Sequence, residues 1–589
     1  MKRLFILSIG IVILLGSCKK DPLDITPDGR MSLEDVFKSS DLTPAYLNSC
    51  YAWVRKYGHG YHYYTFLSSF TDDATDSQVP TDSWHQLQSW YNDAFSASNM
   101  PFMAGSATQL YNDMDLYARN WMGIRKTNVF INNVTEQNIP DPTTRARLLA
   151  EAKTLRAHYY WDLIKMFGPM PIIDKDLVGE QDFSSIKRNS FDECTQFIVK
   201  DCDEAIATAS FPLRAENEPD RGRMTKAVAY AVKSMATLFN ASPLWNPDNN
   251  AGKWKAAADA SKEAVDALSS NGYALYPDYE KYFLTRPDKA AAPGDKETIL
   301  EATDSYGYGT QTYRAFGSIT YLMHMIPTFP SEKPGCAPTQ ELVDAYEMKD
   351  GTIPILGYND ADHSRPIINP ASGYDDQNPY VNRDPRFYAS IWYNGAYFGV
   401  VNGAQIYIES FVGGAHGISG IKQRSPTGYY LRKYVDPAMR NNGTSKTLFR
   451  IYRLGELYLN LAEAENEANG PTTIAYNAVN TVRARAKMPD LPAGLSKEEF
   501  RERIRRERRV ETAIEEDRYY DSRRWGSDYF VNVSKIKTGM RWVKATDGSL
   551  SNTRIVVVKP KMAIPKYLLM PIPLGETIRM PGMTQNPGW

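Results

Sequence analysis

Two short stretches of this 589-residue chain gather flat rings among amides. Trp84, Trp90 and Tyr91 stand beside Asp82, His85, Gln86, Gln88 and Asn92. Tyr306, Tyr308, Tyr313 and Tyr321 stand among Gly307, Gly309, Thr310, Gln311, Thr312 and Arg314. A sugar offers C–H groups on its faces and hydroxyls at its rim. Holding one takes aromatic platforms and a few polar groups that fix its orientation. Both stretches suit that task, so all seven aromatics are candidate glycan contacts; core packing is the competing reading for any one of them.

Other chemistry is more weakly written. His59 and His62 sit three apart in a glycine-containing stretch, without an HExxH pattern or an acidic ligand at helical spacing, so a metal is not expected there. Asp72, Asp73 and Asp76, and later Asp360 and Asp362, could gather around calcium, but the glycine and terminal glutamate of an EF-hand loop are missing. The same carboxylates could form a glycosidase pair. For Asp72 and Asp73 the expected role is to cap a turn that orients the aromatic loop. No Walker loop, GxSxG elbow or dinucleotide fingerprint occurs, and no cofactor is expected.

The N-terminus bears on location. Lys2 and Arg3 precede the apolar run Leu4–Leu15, a signal-peptide layout too short to span a bilayer. Leu15-Gly16-Ser17-Cys18 matches the bacterial lipobox, which implies cleavage after residue 17 and lipid on Cys18. Several acyl chains, at about 0.8 kcal/mol per buried CH₂, make a stable membrane anchor. Residues 18–31 would then be a lipidated tether. Lys19, Lys20 and Asp21 resemble the tract that directs lipoproteins to the outer face of the outer membrane in Bacteroidetes.

These features must be carried by an ordinary globular body: 42% hydrophobic, 23% charged, net charge −1. That balance provides no basic field for nucleic acid. Four cysteines remain beyond Cys18. Cys194 and Cys202 fall in one predicted helix about 12 Å apart, beyond the roughly 7 Å limit for a disulfide. Buried free thiols are therefore expected.

Apolar periodicity predicts helices over 105–137, 143–168, 188–209, 223–241, 252–271, 448–469, 472–487 and 496–517. Ala227, Ala231, Ser234 and Ala241 would permit close helix approach. Residues 272–445 carry short β-like runs and many Gly and Pro, an irregular insertion between two helical parts (about 32–271 and 446–526), with a C-terminal segment over 527–589. Paired helices of this length suggest a mainly α fold of tetratricopeptide-like pairs, with the loop-rich insertion carrying the ligand face.

Four runs then resemble one family. They are Leu155-Arg156-Ala157-His158-Tyr159-Tyr160-Trp161 through Phe167-Gly168-Pro169-Met170-Pro171; Arg450 to Ala464; Arg505 to Glu511 with Glu516-Asp517-Arg518-Tyr519-Tyr520-Asp521 and Arg524-Trp525-Gly526; and Tyr567 to Pro573 with Gln585-Asn586-Pro587-Gly588-Trp589. In this order they resemble the SusD/RagB family of outer-membrane nutrient-binding lipoproteins. The resemblance implies four tetratricopeptide-like helix pairs in a single domain over 32–589 and a variable face for oligo- or polysaccharide. It also implies a partner, a TonB-dependent barrel of the SusC kind that the lipoprotein caps, and no catalysis. A surface glycoside hydrolase and a peptide-capture subunit are the alternatives. In the third run, the Arg, Glu and Trp side chains at helical spacing are expected to form ion pairs that lock the C-terminal helices.

Overall fold

Asp141-Pro142 opens the longest helix. The Asp141 carboxylate accepts the Thr144 amide, Pro142 occupies the first turn where no donor is needed, and the helix runs Pro142–Phe167 until Gly168 turns out at φ 76°. The computed structural model describes residues 31–54, 60–61, 65–75, 87–99, 116–177, 182–215, 220–284, 294–302, 336–401, 403–417, 425–434 and 449–589. Residues 1–30 with Cys18, together with His59, His62, Asp76, Trp84, Tyr306, Tyr308, Tyr313 and Tyr321, lie outside the described residues.

In chain order the helices used below are α1 (Leu33–Lys38), α2 (Leu42–Cys50), α3 (Leu116–Asn133), α4 (Pro142–Phe167), α5 (Phe191–Ala207), α6 (Lys226–Ala241) and α7 (Ala251–Ser270). After the insertion come α8 (Leu454–Asn469), α9 (Thr473–Arg485), α10 (Lys497–Glu511) and α11 (Asp517–Arg524). Serine capping boxes open α5 at Ser190/Glu193 and α10 at Ser496/Glu499.

Each helix from α3 to α7 packs on the next, and α7 then packs on α8 although the whole insertion separates them in sequence. The stack is therefore continuous, and the insertion leaves and re-enters it between two neighbouring layers. This is the mainly helical architecture of paired helices that the periodicity implies. Close approach is built in. A Cβ on Gly123 of α3 would lie 2.5 Å from the Tyr159 ring of α4. Ala227, Ala231, Ser234 and Ala241 of α6 are wholly buried, and the Ser234 hydroxyl meets Ser261 of α7 at 2.9 Å and accepts from Asn460 of α8 at 3.2 Å.

Two helix boundaries differ from the sequence expectation. Residues 450–453 form a strand paired antiparallel with Thr298–Glu301, so α8 starts at Leu454. The β pairing that closes the insertion overrides the helical period there. The predicted helix 496–517 also breaks after Glu511 and resumes at Asp517, with Ile514 and Glu516 at φ 62° and 82°. Among the described residues every sheet is two-stranded; the longest pairs Lys537–Lys544 with Leu550–Val558. Cys50, Cys194, Cys202 and Cys336 are free and buried, as expected.

Candidate functional site

Described residues beside the two aromatic-rich stretches form one short stem. Ala74–Thr75 pairs antiparallel with Ala337–Pro338, and the Thr339 amide donates to the Asp73 carbonyl at 3.0 Å. Thr75, which precedes the Trp84 segment in sequence, therefore lies beside Ala337, which follows the segment with the four tyrosines. Buried Lys537 fastens this stem, donating to the carbonyls of Ser69 (2.6 Å) and Ala74 (2.7 Å) and to the Tyr91 hydroxyl (2.9 Å). The Tyr91 hydroxyl also meets the Thr75 hydroxyl at 2.8 Å. Burial pushes the Lys537 ammonium down to about 7.

Trp90 and Tyr91, expected as glycan platforms, are core residues instead. The helical turn Leu87–Tyr91 puts residues 87, 90 and 91 on one inward face, at the i, i+3, i+4 spacing of a buried stripe. Trp90 has no exposed surface; its ring meets Phe70 edge-on at 4.9 Å and Tyr567 at 4.6 Å. Both faces of a sugar platform would have to be won from this packing. Tyr91 is buried as well, and its work is to hold the stem.

Asp72 and Asp73 are corrected too: they neither cap a turn nor stand open to a cation. Both Asp72 oxygens accept from Arg518 at 2.8 Å, and Arg509 reaches Asp72 at 2.9 Å and Asp73 at 2.7 Å. Burial alone would raise the Asp72 carboxyl, but the Arg509 and Arg518 guanidinium groups outweigh it and hold it below the usual carboxylate range. Asp360 folds its own exposed turn, accepting from the Asp362 and Ser364 amides and Arg365. Among the described residues no three His, Cys, Asp or Glu side chains are grouped to hold a metal ion.

The Asp72 pair is one end of a buried charged seam that joins the insertion to the C-terminal helices. Glu511 of α10 pairs with Arg386 of the insertion (3.0 Å), Arg453 (2.8 Å) and Arg485 of α9. Glu507 pairs with Arg386 (2.6 Å) and Arg483 (2.7 Å). Lys433 of the insertion and Arg453 share Glu515 at 2.8 and 2.7 Å. Arg508 and Arg524 meet on Asp521 (2.6 and 2.8 Å), and Arg524 and the Trp525 indole reach Glu463 at 2.5 and 2.8 Å. Burial works against the Glu463 charge, yet Arg524 prevails and the carboxyl falls to about 2. The ion pairs expected of the third signature are thus present, and they reach further than the helices: they fix the insertion. Glu507 and Glu511, one turn apart on α10, face Arg386 together, and Glu515 meets Lys433 and Arg453 from within the break that follows.

Residues 296–589 match the model of the SusD family, and residues 22–238 match a model described as starch-binding associating with outer membrane. The SusD-like protein P25 of Formosa agariphila is 23% identical over 491 residues, covering 78% of each chain. The crystal structure of a SusD-like protein from Bacteroides fragilis superposes with a TM-score of 0.72 at 25% identity, covering 94% of this chain and 98% of that one. A laminarin-binding SusD-like protein superposes at 0.57 with 21% identity, covering 94% and 100%. The stacked-helix scaffold and its insertion thus share their fold with these SusD-like structures. This chain belongs to the SusD/RagB family. The description of the N-terminal model indicates association with the outer membrane, and no helix among the described residues is long and apolar enough to cross one.

Proposed function

We propose that this chain is a non-catalytic cell-surface lipoprotein, anchored through Cys18, that captures oligo- or polysaccharide and passes it to a TonB-dependent outer-membrane barrel of the SusC kind. The observation that carries the capture reading is the stem at Ala74–Thr75 and Ala337–Pro338. It brings the residues just before the Trp84 segment beside those just after the Tyr306–Tyr321 segment, and Trp84, Tyr306, Tyr308, Tyr313 and Tyr321 are the glycan contacts we propose. The family description as starch-binding and the laminarin-binding relative support a sugar ligand. The hydrolase alternative loses ground because Asp72 and Asp73, two of its candidate carboxylates, are consumed by Arg509 and Arg518.

The test is native affinity electrophoresis of the soluble form lacking residues 1–18 in gels cast with a panel of polysaccharides, alongside a reducing-end assay. Retarded migration with no reducing ends released is the expected result. Steady release of reducing ends, or free migration through every gel, would overturn the reading.

A further inference from the structure

The described part of the insertion presents an aromatic surface far in sequence from both aromatic-rich stretches. Strand Tyr397–Val401 pairs antiparallel with Ala404–Tyr407. Gln405 lies opposite Val400 and Ile406 opposite Gly399, but Tyr407 lies opposite Tyr397, so Phe398 is an extra residue, a β-bulge. In an unbroken strand residues 397 and 400 point to opposite faces. The bulge reverses that parity and brings Tyr397, Val400, Gln405 and Tyr407 to one face. Their exposure agrees: Tyr397 and Tyr407 are each 50% exposed, and Val400 is 55% exposed. Phe398 and Ile408 go the other way and are buried, Phe398 against Trp392 at 4.9 Å. The base is tied by Gly395 N–H to the Ile408 carbonyl (2.7 Å) and Ile408 N–H to that of Ala396 (2.8 Å).

We infer that this outer hairpin face is a contact surface for a neutral glycan, with the Tyr397 and Tyr407 rings as adjacent platforms and the Gln405 amide as the polar group beside them. The rings stand 5.5 Å apart, inclined at 59°, and the Tyr407 hydroxyl donates to the side-chain oxygen of exposed Gln405 at 3.4 Å. Rings that only needed burial would follow Phe398 inward; the bulge instead spends a ladder position to turn them out. Residues 397–407, Tyr-Phe-Gly-Val-Val-Asn-Gly-Ala-Gln-Ile-Tyr, contain no ionisable acid or base of the Asp, Glu, Lys, Arg or His type. That matches an uncharged polymer and offers nothing to neutralise sulfate or carboxylate. The inference rests on the carbohydrate reading above and adds a site to it.

The experiment compares the soluble wild type, the Tyr397→Ala/Tyr407→Ala double variant and the Tyr397→Phe/Tyr407→Phe double variant on gels cast with soluble starch or laminarin. A thermal melt of each confirms folding, which exposed positions should leave unchanged. The expected result is binding by wild type, binding weakened at least about fivefold in the alanine variant as two ring contacts are lost, and retention by the phenylalanine variant. Equal binding by wild type and the alanine variant would overturn the hairpin site while leaving the carbohydrate reading standing. If the alanine variant bound glucan normally but no longer co-purified with the barrel, the face would be a protein contact and the inference wrong. Failure of wild type to bind either glucan would overturn it as well, and binding of other sugars in the wider panel would then decide the general reading separately.

Discussion

Helices α6 and α7 meet amid buried alanines, with one buried hydroxyl pair, Ser234–Ser261, inside the junction and the Lys233–Glu263 ion pair and the Lys253–Asn240 hydrogen bond at its rim. The insertion meets α10 through Glu507 and Glu511, each gripped by two or more guanidinium groups. Both junctions are buried, yet their interiors are made of opposite materials. A repeating stack can be assembled from non-directional apolar contact because its period already sets the register. An aperiodic insertion has no such register. Bidentate and shared ion pairs supply direction, since a guanidinium satisfied in one geometry is costly in any other. The stack is thus the regular body, and the seam is what fixes the insertion on it.

The largest effect should come from breaking the seam at its centre. Glu511→Gln leaves Arg386, Arg453 and Arg485 facing a neutral amide, and should cost about 3–5 kcal/mol in denaturant unfolding; a loss below about 1 kcal/mol would mean the pairs relax into solvent. Trp90→Ala should lose a comparable amount, about 3–5 kcal/mol, because its ring is packed among Phe70, Phe95 and Tyr567. An unchanged melting temperature would return Trp90 to the list of exposed platforms.

A smaller effect follows from pH. The Glu463 carboxyl sits at about 2 in the folded protein against an ordinary 4.5. The stability it contributes is therefore complete above pH 4.5 and is lost as pH falls toward 2. Urea melts across that range should show the difference between wild type and Glu463→Gln shrinking with acidity; a constant difference would deny the ion pair its role. Lys537 runs the opposite way. Its folded value of about 7 lies below the ordinary 10.5, so the unfolded chain binds the proton more readily between those limits. Wild-type stability should gain from this group as pH rises from 7 to 10.5, by at most about 1.4 kcal/mol per pH unit, and Lys537→Met should remove that slope. An identical slope in both proteins would show the ammonium to be solvated.

The sequence expectations succeeded where period carries the information. Helices α4 to α7 begin and end within a few residues of where the apolar stripes predict, and the small-residue face of α6 is buried as its spacing requires. They failed where non-local pairing decides. Nothing local announces that Arg450–Arg453 will join Thr298–Glu301, or that the chain will turn through left-handed backbone at Ile514 and Glu516. For Trp90 and Tyr91 the signal was present, since Leu87, Trp90 and Tyr91 have helical spacing, but the polar neighbours read as a loop. Lys537 carried no such signal; one lysine in a strand looks exposed until the Ser69 and Ala74 carbonyls are seen to surround it. The Tyr397–Tyr407 face was hidden for a related reason, because simple alternation places residues 397 and 400 on opposite sides and only the bulge unites them.

The central claim is that the seam, beyond the stability it adds, aims the part proposed to bind glycan, whereas the stack contributes stability alone. It is tested most directly by measuring starch or laminarin affinity for two variants under conditions where both remain folded: Asp72→Asn, which loosens the clamp on the shared stem, and Leu457→Ala, which hollows buried α8 at a cost of about 2–5 kcal/mol. The account predicts that Asp72→Asn binds at least about tenfold more weakly and that Leu457→Ala binds as wild type does. Equal affinity in the two variants, or a loss confined to Leu457→Ala, would contradict it.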